Sequence, residues 1–235
     1  LNLKKLIEDY LKAFNEPNVK IADIEKSAII LLEAWNYGRR VFTCGNGGSA
    51  STASHFTSDL LKIGVDAYCL NNDNISRLTA ITNDSGWEQM YVEQMEGRFN
   101  PGDVIVGFSV HGGVGEDKAG EWSQNLLKAI DYAKTHGGKS IGIVGFEGGV
   151  MRKVCDASVK INVLSTPLVE SWHLGIAHLL CELIKASTVR PVKVCRSCGR
   201  IQIYETNVCM DCGGFTFDQV AGVFGNIEDL KRGIN

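Results

Sequence analysis

No apolar run in this sequence is long enough to cross a bilayer. The longest, Ser27–Trp35 and Leu179–Ile184, fall well short of the roughly 20 residues a spanning helix needs, so no membrane partner is expected. A large excess of one sign of charge is missing too: a net charge of −3 argues against a general nucleic-acid-coating role and leaves room only for a local basic patch. No internal repeat or low-complexity tract appears. Prolines number four, and each sits at a break: Pro17, Pro101, Pro167 and Pro191. The opening residues Leu1–Lys5 lack the apolar core of a secretory leader, and a cytoplasmic location is expected. What is present is ordinary globular composition, 44% apolar and 22% charged over 235 residues, enough for one good-sized domain with an appendage or for two small ones.

The eight cysteines fall into two groups. Cys44, Cys69, Cys155 and Cys181 lie among apolar residues in four different segments, which reads as reduced, buried small hydrophobes. The others form two Cys-x-x-Cys pairs near the C-terminus.

Hydrophobic spacing organises the rest. Leu3, Leu6, Ile7, Tyr10, Leu11 and Phe14 share one helical stripe, and Ile21 to about Tyr37 forms a second helix. Such a helical pair ahead of a sheet packs either against another subunit or on its own sheet. Strands are then expected at Val41–Cys44, Ala67–Leu70, Val104–Phe108, Ser140–Gly145 and Ala157–Leu164, alternating with helical segments. Those include a short helix carrying Ile75 to Ile81, and helices at Trp87–Phe99, Glu121–Thr135 and Leu168–Lys185. The alternation predicts an α/β fold, a doubly wound, five-stranded parallel sheet with helices on both faces. Ligands on such sheets bind beyond the carboxyl ends of the strands. The first and third strands both end there in Gly/Ser-rich loops.

The first of these loops is the most informative stretch, RVFTCGNGGSASTASHFTSDLL at Arg40–Leu61. A strand, a glycine-rich turn at Asn46-Gly47-Gly48-Ser49 and a helix together offer free backbone N–H groups and partial positive charge to an anion. Ser49 is expected to cap the helix and to supply a hydroxyl. His55 and Asp59, four apart, share a helix face just beyond.

Read as CGNGGSxxxxxHFxxxL, this stretch resembles the sugar isomerase (SIS) domain and, within it, the phosphoheptose isomerase family, over about residues 1–188. The resemblance implies interconversion of sedoheptulose 7-phosphate and an aldoheptose 7-phosphate, in a homotetramer whose sites draw residues from neighbouring subunits. It also implies a catalytic set of His55, Asp59, Glu170 and His178, where the family usually has His, Glu, Gln and His. Such a set binds a divalent metal such as zinc, or moves the proton of an enediol isomerisation. That chemistry needs a base next to the carbonyl, a polariser and an acid. The resemblance gives these roles to Asp59, to the metal or His55, and to His178. His173 becomes a supporting or substitute ligand, and Asp84, after Asn83, a contact for sugar hydroxyls.

The third strand ends in Ser109-Val110-His111-Gly112, where the family has Ser-Thr-Ser-Gly-Asn-Ser running straight into a helix. Ser109 and Gly112 match, Val110 and His111 do not, and extra residues precede the helix near Asn125. Phosphate would be held there by backbone N–H groups and by a protonated His111. Two further readings stay open. One is a non-catalytic SIS module that binds a sugar phosphate or a protein such as a regulator or replication initiator. The other is an isomerase for another phosphorylated or nucleotide-linked sugar.

Beyond Thr188-Val189-Arg190-Pro191 comes VCRSCGRIQIYETNVCMDCGG. Cys195-x-x-Cys198 and Cys209-x-x-Cys212, flanking a β-like segment at Ile201–Tyr204, carry the signature of a small zinc ribbon with a closed, structural Zn²⁺ site. A segment of roughly 30 residues buries too little apolar surface to fold without such a staple. The expected organisation is therefore a sugar-phosphate domain at 1–188, a ribbon at 189–220 and a tail at 221–235.

Overall fold

The computed structural model describes residues 2–113, 122–187, 192–195, 197, 201–203 and 217–219. Two compact units emerge, Leu1–Glu182 and Leu183–Asn235. In the first, β1 (Val41–Gly45), β2 (Ala67–Cys69), β3 (Val104–Ser109), β4 (Lys139–Val144) and β5 (Ala157–Lys160) form one parallel sheet in the order β2-β1-β3-β4-β5. The connections leave β1 toward β2 on one side and β3 on the other. That reversal opens a crevice at the carboxyl ends of β1 and β3, where Cys44 pairs with Gly107 and Gly45 with Phe108.

Successive side chains point to opposite faces, and both faces are covered, which is why each strand reads as an unbroken apolar run. On one face Phe42, Cys44, Ile105 and Val144 join Tyr91, Met95, Leu126, Ile130 and Met151. These last come from α5 (Val92–Met95) and its approach, α6 (Gln124–Thr135) and α7 (Met151–Val154). On the other face Phe108 meets the Phe56 ring edge-on at 5.8 Å, and Thr43 and Thr57 share a buried 2.6 Å hydrogen bond. Phe56 and Thr57 belong to α3 (Gly48–Lys62), which lies on this face with α2 (Ile21–Asn36) and with α8 (Thr166–Ser187), whose His173 ring stands 6.0 Å from that of Phe108. Each fully buried Phe or Ile stabilises the fold by about 1.5–3 kcal/mol relative to exposure.

Several boundaries differ from expectation. Trp87–Phe99 is not one helix: Trp87–Gln89 forms a 3₁₀ turn and only Val92–Met95 is α-helical. Tertiary bonds override the local pattern, because the Tyr91 hydroxyl donates to the Gly45 carbonyl at 2.5 Å and Gln94 Nε2 to the Leu70 carbonyl at 2.8 Å. The last strand of this sheet stops at Lys160 rather than Leu164. After Ile161 bonds to Val144, the chain swings away and the Asn162 N–H donates to Pro17 at 3.1 Å. Helix α6 starts at Gln124, and the single turn α7 was not expected at all. The helix α4 (Ile75–Asp84) is capped by Asn74, whose side chain accepts from Arg77 N–H.

Helix α1 (Leu3–Asn15) forms as expected but buries none of its residues; its whole apolar stripe from Leu3 to Phe14 is exposed. Its end is held by Trp172 Nε1, which donates to the Phe14 carbonyl at 2.9 Å. In the second unit, β6 (Val192–Cys195) lies between β7 (Ile201–Ile203) and β8 (Phe217–Gln219) in an antiparallel sheet. Cys198, Cys209, Cys212 and the expected tail at 221–235 lie outside the described residues. Among the described residues no helix is long and apolar enough to cross a membrane.

Candidate active site

Helices α3 and α8 bring His55, Asp59 and His178 to one point. The two Nε2 atoms stand 3.1 Å apart, and Asp59 Oδ2 lies 3.2 Å from His55 Nε2 and 3.5 Å from His178 Nε2. One ring nitrogen of a pair this close must donate while the other accepts, so the three groups together call for a shared proton or a cation. Both imidazoles are about half exposed, so a ligand can reach them, whereas the Asp59 side chain is only 18% exposed. Its other oxygen accepts from Lys62 Nζ at 3.0 Å. Partial burial pushes the Asp59 carboxyl up, but the hydrogen bond and charge of Lys62, helped by the two imidazoles, outweigh it and hold the group below its ordinary value. A cleft of about 560 Å³ opens beside His55, lined by Ser51, Ser54, Ser58, Lys62 and Asn72 among others.

Glu170 does not join the three. Its carboxylate lies flat against Gly48 in the first turn of α3: a Cβ at Gly48 would fall 2.5 Å from Glu170 Oε1, so only glycine permits the approach. The charge there complements the helix N-terminus. Ser49 departs from its expected role, since Gly47 occupies the cap position without a side-chain hydrogen bond and Ser49 is buried within the first turn.

The glycine loop is braced from behind by residues the sequence did not single out. Asn71 exchanges hydrogen bonds with the Gly45 backbone, at 3.1 Å to its N–H and 2.8 Å to its carbonyl. Tyr91 bonds to the Gly45 carbonyl as well, and Asn46 and Asn125 exchange side-chain bonds at 3.0 and 2.9 Å. Asn125, fully buried at the start of α6, thereby ties the first loop to the helix that follows the second. Two amides and a phenol gathered behind a glycine turn leave no local sequence pattern, because they lie 26, 46 and 79 residues along the chain from the loop residues they hold.

At the second loop, Ser109 Oγ accepts from the Gly112 N–H at 3.1 Å and is buried, so this hydroxyl is engaged internally. The His111 ring packs against Phe146 at 4.5 Å and Trp122 at 5.4 Å. Gly112 and Gly149 interlock so tightly that a Cβ on Gly112 would reach within 1.9 Å of the Gly148 carbonyl. Ser123, with φ at +59°, immediately precedes α6. Asp84 ends α4 at the surface, accepting from Asn83 Nδ2 at 2.7 Å, and no hydrogen bond or ion pair joins it to the three among the described residues. His173 is not a ligand of this point. It is fully buried near Phe108, and burial pushes its imidazole down to about 4, with the Val144 carbonyl pulling weakly the other way.

Residues 5–145 match the family described as the SIS domain, and the chain belongs to that family. It is 40% identical over 165 residues to the lincomycin biosynthesis protein LmbN of Streptomyces lincolnensis, covering 66% of this chain but only 58% of that protein's length. It is 36% identical to the phosphoheptose isomerase of a Nitratiruptor species, over 70% of this chain and 86% of that one. The solved phosphoheptose isomerase of Francisella tularensis superposes with a TM-score of 0.70 at 26% identity, covering 79% of this chain and 99% of that one. Within the SIS class, the chain falls in the phosphoheptose isomerase family.

Proposed function

We propose that this chain is an aldose–ketose isomerase that interconverts sedoheptulose 7-phosphate and a heptose 7-phosphate. The observation that carries the reading is the convergence of His55, Asp59 and His178 beside a braced glycine loop, in a relative of phosphoheptose isomerases. Asp59, kept ionised by Lys62, removes the proton from the carbon next to the carbonyl and returns it to the neighbouring carbon of the enediol. His178 carries the proton to and from the oxygens, and His55 polarises the carbonyl. The second loop, through its backbone N–H groups and His111, holds the phosphate. Asp84 faces the sugar hydroxyls, and Glu170 stands against the glycine loop at Gly48.

The donor set also fits a divalent ion. His55, Asp59 and His178 offer two imidazole nitrogens and a carboxylate oxygen within 4.8 Å of one another, on an open face, which suits Zn²⁺ with positions left for substrate. When bound, such an ion would polarise the carbonyl. Glu170 would be a further donor only after moving off Gly48. The ribbon of Cys195, Cys198, Cys209 and Cys212 forms a separate structural Zn²⁺ site in our reading, supported by the antiparallel sheet of Val192–Cys195, Ile201–Ile203 and Phe217–Gln219.

A homotetramer gives the bare apolar stripe of α1 a partner, since a face exposing Leu3, Leu6, Ile7 and Leu11 is best explained by a second copy. The free thiols of Cys44, Cys69, Cys155 and Cys181 suit a reducing, cytoplasmic compartment.

An isomerase assay on sedoheptulose 7-phosphate, paired with elemental analysis, tests the reading: turnover with two metals per chain is expected. No turnover, with one metal removed only by losing the Cys ligands, would instead leave a sugar-phosphate-binding module. The altered second loop, with Val110 and His111, favours including other phosphosugars in the same assay.

A further inference from the structure

A second cleft, of about 420 Å³, shares no residue with the three-residue cluster. Its cations are Lys20, Arg152 and Lys160, its acids Asp23 and Glu147, and two asparagines, Asn18 and Asn162, complete it. They come from the α1–α2 linker, α2, the loop after β4, α7 and the end of β5, so five segments of the chain meet there. The meeting is built rather than incidental. Arg152 Nη1 donates to Asp23 Oδ2 at 2.8 Å and to the Ser158 carbonyl, and the Asn162 N–H donates to Pro17.

With Arg152 fixed and neutralised by Asp23, the other cations are loosely held. Lys160 meets Glu147 at 3.7 Å, and the Glu147 side chain is 87% exposed. A pair of that kind contributes about 0–1 kcal/mol and yields to a better anion. The Lys20 ammonium and the side-chain amides of Asn18 and Asn162 have no hydrogen bond or ion pair among the described residues. Three cations against two acids, neutral donors alongside and no aromatic wall fit a compact anion with hydroxyls, not an apolar ligand.

The same cleft borders the substrate loop. Glu147 lies within, and Arg152 directly follows, the segment that bonds to it, with the Gly145 N–H donating to the Val110 carbonyl at 3.0 Å and the Met151 N–H to the Gly112 carbonyl at 2.8 Å. Phe146, beside Glu147, carries the ring against His111.

We propose that this cleft is an effector site for a small phosphate-bearing metabolite, about the size of a sugar phosphate. The anion binds between Lys20 and Lys160, draws Lys160 from Glu147, and shifts the 145–151 segment against His111 and Gly112. The effect on the reaction rests on the isomerase reading, in which that loop holds the substrate's phosphate: occupancy changes KM and leaves kcat alone.

Calorimetric titration of inorganic phosphate into the full chain, free of sugar, tests the proposal. One binding event should weaken at least tenfold in Lys20→Glu and in Lys160→Met and be kept in His55→Ala, with kcat in phosphate-free buffer unchanged in the two lysine variants. The absence of any event, or an event whose affinity in both lysine variants equals that of the unaltered chain, overturns it. The binding result does not depend on whether the chain is an isomerase, so a chain that binds phosphate in this way but does not turn over sedoheptulose 7-phosphate would overturn the isomerase reading alone.

Discussion

Helix α8 carries two histidines five residues apart with opposite fates. His178 is half exposed and meets an imidazole and a carboxylate from another helix. His173 is fully buried, and neither ring nitrogen finds a hydrogen-bond partner of good geometry. One meets α3 on an open face, and the other faces the sheet at Phe108. Spacing along a helix decides which face a residue occupies, but only the neighbour on that face decides whether an imidazole is a reagent or a filler. The contrast yields three tests, taken here from largest effect to smallest.

Replacing His178 by alanine should lower turnover by about 10²–10⁴-fold, the usual contribution of a positioned acid–base group. Because the side chain is half exposed, the urea midpoint should move by no more than about 0.5 kcal/mol equivalent. Unchanged turnover would move the chemistry away from this cluster and erase the distinction between the two histidines.

His173 should reveal itself through pH instead. Its folded pKa of about 4 lies below the unfolded 6.5, so between those values the unfolded chain binds a proton that the folded chain refuses. Stability is therefore full above about pH 6.5 and falls as pH drops toward 4, by up to about 3 kcal/mol at 1.36 kcal/mol per unit. His173→Phe should flatten that slope. At pH 7 the phenyl ring should hold stability level or raise it, since two unpartnered polar nitrogens are replaced by an apolar ring. Unfolding curves at pH 7 and pH 4.5 for both chains decide it; an acid slope that survives in the variant would assign the loss to other groups.

These two histidines also mark how far the sequence could be read. Strand and helix order, the parallel sheet and the first loop were legible because apolar runs, glycines and an i,i+4 pair are local signals. His178 was legible only through its resemblance to a family, and His173 was misplaced for the same reason: a motif records that a residue recurs, not where its ring points. Asn71, Tyr91 and Asn125, which brace the glycine loop, gave no signal. Their partners lie on other strands and helices, and the Tyr91 bond to Gly45 is also what broke the helix expected over Trp87–Phe99. Ser49 looked like a cap because serine commonly is one, but the turn placed Gly47 there and so freed Gly48 to receive Glu170.

Glu170 gives the finest test, because it lies one turn from His173 and could belong with either histidine. Its carboxylate against the α3 N-terminus is worth about 0.3–1 kcal/mol as a dipole partner. If that is its whole role, Glu170→Gln should reduce stability by no more than that amount and leave kinetics alone. In the isomerase reading it also places a negative charge at the mouth through which an anionic sugar phosphate enters. Neutralising it should then lower KM about three- to fivefold, since about 1 kcal/mol corresponds to a factor of five or so, while kcat changes little. Gly48→Ala supplies the control, because the added Cβ would meet Glu170 Oε1 at 2.5 Å and push the carboxylate off the helix end without removing its charge. A KM that falls in Glu170→Gln but not in Gly48→Ala assigns the effect to charge. A KM that moves in neither groups Glu170 with His173 as a residue of the packing.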